Sequence, residues 1–280
     1  MPKAGIRRAA VAGTWYPGEA SALAAEVEAH LGAATAVPVP GRLVGLISPH
    51  AGLRYSGPVA AHGYALLRGR PELTAVLVGP SHRAGFAGLC LPAAAAFETP
   101  LGPAPVDAEL AAALLAIGPP FHAADAPHRE EHSLEMQLPF LQSVVPGLRV
   151  VPVLMGSQSR AEVEALAGGL AAVLPGRQAV VLVASSDLSH YHPAAVANRL
   201  DASVVADVER FDPESLMQRL EASHEHACGG GPMVAVMKAA RALGADRATV
   251  LAYGDSGDAG ERDKRRVVGY LSAALSASHG

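Results

Sequence analysis

LVGLISPHAG, residues 43–52, decides how this chain folds. An apolar run of strand length, with no polar residue alternating through it, stops abruptly at Ser48, Pro49 and His50. A strand that is apolar on both faces is one covered on both faces, as in a layered α/β fold. The pattern returns at AVLVGPSH (75–82) and again at AVVLVASSDLSHYH (179–192). His50, His82 and His190 therefore each lie just past the carboxyl end of an expected buried strand. In open α/β sheets ligands bind in the crevice beyond those ends. A lone histidine there is ordinarily a polar residue at a solvent-facing strand end. If the three strands are parallel neighbours, however, the three imidazoles converge on one crevice.

Working outward, the apolar runs predict strands at 43–48, 74–79, 88–92, 148–154, 178–185, 247–253 and 266–272. Helical patterns fill the intervals at 19–31, 57–68, 106–116, 131–143, 159–174, 193–209, 213–222 and 231–243. Pro193 and Pro213 stand at helix starts, where a missing N–H is harmless. The Pro/Gly-rich segment 84–104 reads as a hairpin or an insertion over a sheet edge. Without repeats, linkers or a charge boundary, residues 1–280 read as one α/β domain. Its central sheet is expected to be mostly parallel or mixed, with helices on both faces.

Composition narrows the function classes. Half the residues are apolar, 17% are charged and the formal net charge is −4. No dense Lys/Arg cluster marks a nucleic-acid groove. Two cysteines, Cys90 and Cys228, are too few for a disulfide framework and point to a reducing compartment. Arg7 and Arg8 are followed by an apolar stretch too short for a signal peptide. No run approaches the length that spans a bilayer. The expectation is a cytoplasmic protein with neither nucleic-acid nor membrane partners.

Cys228 lies in HACGGGPMVAVMKAARALG, at the mouth of an amphipathic helix. Peptide N–H groups and the helix dipole favour a thiolate there, and the glycines let a ligand or metal approach the backbone. The ordinary alternative is a small buried hydrophobe, which is the expectation for Cys90. Two neutral imidazoles and one thiolate suit a first-row transition metal. They leave a divalent ion with the same net charge as two histidines and a carboxylate do, although the softer sulfur keeps copper and zinc open. Asp187, three residues before His190, either orients that imidazole as a general acid/base or caps its turn. In HREEHSLEMQLPFL (128–141), a helix would put His128, His132 and Glu135 on one face. The zincin order HExxH is absent. His132 and Glu135 are the candidates there to support the ligands or touch substrate, the alternative being a charged solvent-facing turn. His62, Tyr64, His122, His224, His226 and His279 have no comparable context and are expected at the surface or in packing.

Taken in order, AVAGTWYPG, SPHAG, GPSH, EEHSLEMQLPFL, SSDLSHY and the glycine-flanked Cys228 resemble the Memo family, from about Ala9 to Leu271. That family is similar in fold to the class III extradiol dioxygenases, which open catechol rings with non-haem iron(II). The resemblance implies that His50, His82 and Cys228 are metal ligands, and that His190 with Asp187 occupies the dioxygenases' acid/base position. It implies Fe(II) as cofactor, with Cu or Zn as alternatives, and dioxygen with a small, aromatic substrate as reactants. Bacterial and archaeal members tend to be encoded with a radical-SAM protein, which implies a partner system. The departure is Cys228, standing where ring-cleavage enzymes carry a glutamate; a thiolate beside oxygen-activating iron is open to oxidation. The leading expectation is a non-haem iron oxygenase or redox enzyme. The alternatives are a non-catalytic metal-binding adaptor, and a metal-free Cys228 nucleophile with His190 and Asp187. A homo-oligomer is compatible with the chain, but no interface is legible.

Overall fold

Apolar strands that are buried on both faces must lie side by side inside helical layers, and the computed structural model places them so. It describes residues 5–223, 225–259 and 263–278; His224 and His279 lie outside the described residues. In chain order the elements begin with β1 (Ile6–Arg7), α1 (Ala20–Ala33), β2 (Arg42–Ser48), α2 (Leu53–Ala65) and β3 (Glu72–Pro80). There follow β4 (Leu89–Leu91), β5 (Ala96–Thr99), β6 (Gly102–Pro105), α3 (Ala108–Leu115), β7 (Phe121–Ala123) and α4 (Leu138–Val144). Next come β8 (Gly147–Met155), α5 (Arg160–Val173), β9 (Val180–Ser185), β10 (His190–His192) and α6 (Ala194–Glu209). The chain continues through α7 (Pro213–Ala222), α8 (Gly230–Ala242), β11 (Arg247–Asp255) and β12 (Val267–Ala277).

The main sheet has the order β10-β12-β2-β9-β3-β8-β4-β7, with β11 on β12. β2, β9, β3 and β8 are mutually parallel, β12 runs antiparallel to its neighbours, and β4 is antiparallel to β8 but parallel to β7, so the sheet is mixed. β9 lies between β2 and β3, and Ser48 pairs Ser185 while Val78 pairs Ala184. The strands leading to His50, His82 and His190 are thus the parallel neighbours that convergence requires, with level ends.

The two faces carry separate cores. On β3, Val76 and Val78 pack into one and Ala75 and Leu77 into the other. β9 divides likewise, with Leu182 and Ala184 opposite Val181 and Val183. Helices α3, α5 and α8 cover the first face, and α1, α2 and α4 the second. Burying each Val or Leu side chain contributes about 1.5–3 kcal/mol, which is why these strands tolerate no polar alternation. Among the described residues no helix is long and apolar enough to cross a membrane.

Three local expectations are corrected. Helix α2 starts at Leu53, immediately after the His50 turn, rather than at 57; Pro58 sits inside it. Segment 84–104 contributes the edge strand β4 and the β5–β6 hairpin, which joins β1 in a second, three-stranded sheet. The expected helix 131–143 is delayed: residues 135–137 form a 3-10 turn and α4 begins only at Leu138. The Glu131 carboxylate accepts the amides of His132 and Ser133 at 2.9 Å, diverting them from helical bonding. His128, His132 and Glu135 consequently share no helix face.

His128 is buried beside β4, where Nε2–H donates to the Cys90 carbonyl at 3.1 Å and Nδ1 has no partner. Burial holds it down at about 4, with Arg7 adding to the effect against the Cys90 carbonyl. An unfolded histidine titrates near 6.5, so this contribution to stability is complete above that value. It is lost as pH falls from 6.5 toward the folded value, about 2 kcal/mol of it by pH 5. His128→Gln is expected to flatten the acid limb of stability against pH by that amount, read from urea unfolding between pH 7.5 and 5. Parallel limbs in variant and wild type would remove His128 as the cause.

Candidate metal centre

The turn after β2 brings His50 into the crevice, 2% exposed, with Nδ1 2.8 Å from Ser185 Oγ. The Ser185 hydroxyl donates its single proton to the Ser133 carbonyl at 2.6 Å and accepts from Gln137 Nε2 at 2.8 Å. It must therefore accept from His50 as well, so Nδ1 carries the proton and Nε2 keeps its lone pair. At the end of β3, His82 Nδ1 lies 3.0 Å from Glu131 Oε1. A carboxylate only accepts, so His82 likewise presents an Nε2 lone pair to the cleft. Glu131 is 2% exposed. Burial alone would raise it, but the hydrogen bonds from His82 and the Ser133 amide outweigh burial and hold it at about 2.

His132 stacks on His82 at 4.7 Å with planes 17° apart and packs against Trp15 at 4.3 Å. Its Nδ1 is buried 3.4 Å from Glu131 Oε1 without a hydrogen bond. One nitrogen each from His50, His82 and His132 lies within 4.8 Å of the others, a spacing that a single ion can bridge. Burial, then the neighbouring imidazoles, push both His50 and His132 down to about 3. Imidazoles fixed through Nδ1, as those of His50 and His82 are, leave Nε2 as the nitrogen to hold a metal ion.

Cys228 stands just before α8, its Sγ 3.2 Å from His50 Nε2 and 3.6 Å from the Asp187 carbonyl. It lies outside the mutually spaced trio of histidines. Burial and the charge of Asp187 push its thiol up, contrary to the thiolate expected at a helix mouth. The reason is local: the Gly229 amide goes to Ser186 Oγ and the Gly231 amide to Gln158 Oε1, so neither serves the sulfur. Gln158 also donates to the Cys228 carbonyl at 2.8 Å, fixing the turn.

Asp187 caps the turn after β2. Its Oδ1 accepts the amides of His50 at 2.7 Å and Ala51 at 3.2 Å, tying the β9 exit to the β2 exit. Burial raises it to about 6, against those amides and the charge of His190. His190 Nδ1 donates to the Leu188 carbonyl at 2.8 Å. His50, His82, His132, Asp187, His190 and Cys228 all line a cleft of about 650 Å³.

Glu135 does not reach that cleft. It is fully buried, paired with Arg7 and Tyr16 Oη, and it accepts the amides of Ala10 at 2.8 Å and Val11 at 3.1 Å. It clamps the N-terminal segment that carries Trp15, and so acts on the site through that wall. Trp15 and Glu131 escaped the sequence reading. The signals were present, a single tryptophan within the TWYPG motif and an acid directly preceding His132. Glu131→Gln is expected to lower metal affinity about 10–100-fold by freeing the His82 ring, measured by metal titration with secondary structure retained. Unchanged affinity would leave Glu131 a structural cap alone.

The sequence model of the Memo-like protein family matches residues 7–274. A MEMO1 family protein of Methanothermobacter thermautotrophicus is 36% identical over 276 residues, covering 95% of this chain and 98% of its own. One from Methanocaldococcus jannaschii is 35% identical over 287 residues, covering 96% and 99%. One from Methanosarcina mazei is 40% identical over 235 residues, covering 82% and 85%. Among solved structures, an uncharacterized protein of Escherichia coli K12 superimposes with TM-score 0.55 at 17% identity. It covers 84% of this chain and 100% of its own, a likeness of fold alone.

Proposed function

This chain belongs to the Memo-like protein family, and from that premise we propose that the cleft binds a first-row transition metal, iron(II) foremost. In this reading His50, His82 and Cys228 are the ligands and the protein is an oxygenase or related redox enzyme for a small substrate. The observation that carries it is the convergence of directed Nε2 lone pairs, held by Ser185 and Glu131, on a crevice where a thiol touches one of them. Imidazole lone pairs lie in the ring plane. Rings stacked 17° from parallel do not aim at one point, which favours His132 as a wall against substrate over a shared ligand with His82.

When bound, such an ion supplies Lewis acidity and access to oxygen chemistry. The chain's own groups do the rest. His190 lines the cleft, and with Nδ1 committed to the Leu188 carbonyl its Nε2 is the atom that would take a substrate proton, the nearby charge of Asp187 favouring the protonated ring. Trp15 and His132, their rings 4.3 Å apart and inclined at 49°, give the cleft an aromatic side against which a ring can pack. The raised thiol makes a free Cys228 nucleophile the weaker reading. Both cysteines are free, consistent with work in a reducing compartment.

The test is metal content by mass spectrometry on protein purified without oxygen, for wild type, Cys228→Ser and His132→Asn. Near-stoichiometric iron in wild type and His132→Asn, lost in Cys228→Ser, is the expected result. Loss in His132→Asn alone would move the third ligand to His132, and no metal after reconstitution would overturn the site. Zinc or copper instead would favour a second reading, a metal-binding adaptor for a radical-SAM partner. The soft sulfur of Cys228 in place of a carboxylate supports that second reading.

A further inference from the structure

A second cavity, of about 580 Å³, adjoins the metal cleft and shares Trp15, Ala51, Tyr191 and Val268 with it. The two cavities therefore meet along these four residues. Beyond the shared wall the second cavity is lined by Tyr55, Tyr270, Arg54 and Arg266. Tyr55 and Tyr191 are among the few large apolar side chains left exposed, at 41% and 63%. Tyr191 is held at φ 62°, a left-handed backbone unusual for a bulky residue and a mark of functional sites.

Each guanidinium lies against an aromatic ring, Arg266 5.2 Å from the Tyr191 centroid and Arg54 5.5 Å from that of Tyr55. Among the described residues neither is in an ion pair, unlike Arg7, Arg8, Arg68 and Arg160. The carboxylate in the lining, Asp263, is taken by Arg265, from Nη2 at 2.9 Å and Nε at 3.1 Å. Two donor forks on aromatic walls, with the one carboxylate of the described lining paired to Arg265, are suited to receive an oxyanion attached to a flat group.

We propose that this cavity is a recognition subsite for the carboxylate or phosphate end of a planar small molecule whose other end enters the metal cleft. The identity of that molecule as substrate rests on the function proposed above; the anion subsite does not. The test uses Trp15, the one tryptophan in the chain, whose ring borders both cavities, so its emission reports occupancy. The probes are benzoate, phenyl phosphate and neutral benzamide at constant ionic strength. The proteins are wild type, Arg54→Gln, Arg266→Gln, His50→Ala and, as a control at the far end of β11, Arg247→Gln.

Benzoate is expected to change the emission saturably and benzamide to bind about tenfold more weakly or worse. Arg54→Gln and Arg266→Gln should each raise the benzoate Kd about tenfold, with the control unchanged. Phenyl phosphate binding more tightly than benzoate would assign the end as a phosphate ester, and the reverse as a carboxylate; either supports the subsite. Equal binding of benzamide and benzoate, arginine variants that match wild type, or no saturable signal with either acid would overturn it. Benzoate binding that survives in His50→Ala keeps the subsite even if the metal assignment fails. Binding lost there but kept in both arginine variants would place the anion at the histidines and overturn the proposal.

Discussion

Arg7→Met is expected to destabilise the fold by about 3–5 kcal/mol, the cost of stranding one member of a buried ion pair. The Arg7 side chain is 5% exposed and its partner Glu135 is 0% exposed. Arg7 also donates from Nε to the His128 carbonyl at 2.8 Å and from a second nitrogen to the Glu131 carbonyl, and it lies 5.2 Å from the Phe97 centroid. Methionine retains much of the apolar packing but none of the donors. Glu135 would keep the Ala10 and Val11 amides and Tyr16, yet lose the cation that neutralises it. For a chain of this size the loss amounts to a fall in Tm of about 5–9 °C. Glu135 holds the segment bearing Trp15, so the variant should also shift Trp15 emission toward that of an exposed ring. Urea unfolding measures the first effect and fluorescence the second. A loss under about 1 kcal/mol, with emission unchanged, would show that the N-terminal clamp does not depend on the pair.

Gly229→Ala is the second large effect, and it couples folding to the site. A Cβ at Gly229 would lie 2.2 Å from the Ser185 carbonyl oxygen, 2.9 Å from Ser186 Cβ and 3.0 Å from Ser186 Cα. These are atoms of the β9 exit, not the end of a flexible side chain, so the backbone on one side must move. Overpacking of this kind costs about 1–3 kcal/mol. The movement separates Cys228 from His50, now in contact at 3.2 Å, and should weaken metal binding about 10–100-fold, as loss of a ligand's support does. Thermal melts and metal titration on the same sample check both. Full metal affinity in a destabilised Gly229→Ala protein would mean that Cys228 is not held in place by this contact, and would count against its role as a ligand.

Some of this architecture was legible without coordinates because it is recorded locally. Unalternating Val/Leu/Ile runs state that a strand is covered on both faces, since each side chain reports its own burial. His50, His82 and His190 announced themselves by standing at equivalent strand ends. Elsewhere the local pattern misled. The run from His128 to Leu141 has helical spacing, but the Glu131 side chain competes for the amides a helix would need. The helix mouth at Cys228 promised a thiolate, but Ser186 and Gln158 had claimed its amides.

The sequence by itself determined the layered α/β class, the doubly covered strands and the cluster of histidines beyond them, because burial and turn chemistry act over a few residues. Only the tertiary structure decided that β9 separates β2 from β3, and that Glu131 orients His82 across 49 residues. It also decided that Glu135 clamps Arg7 across 128 residues, and that Cys228 meets His50 across 178. Periodicity carries no information at such separations. These pairings arise from sheet order and from the need of each buried donor and acceptor to find a partner, which the whole chain satisfies at once.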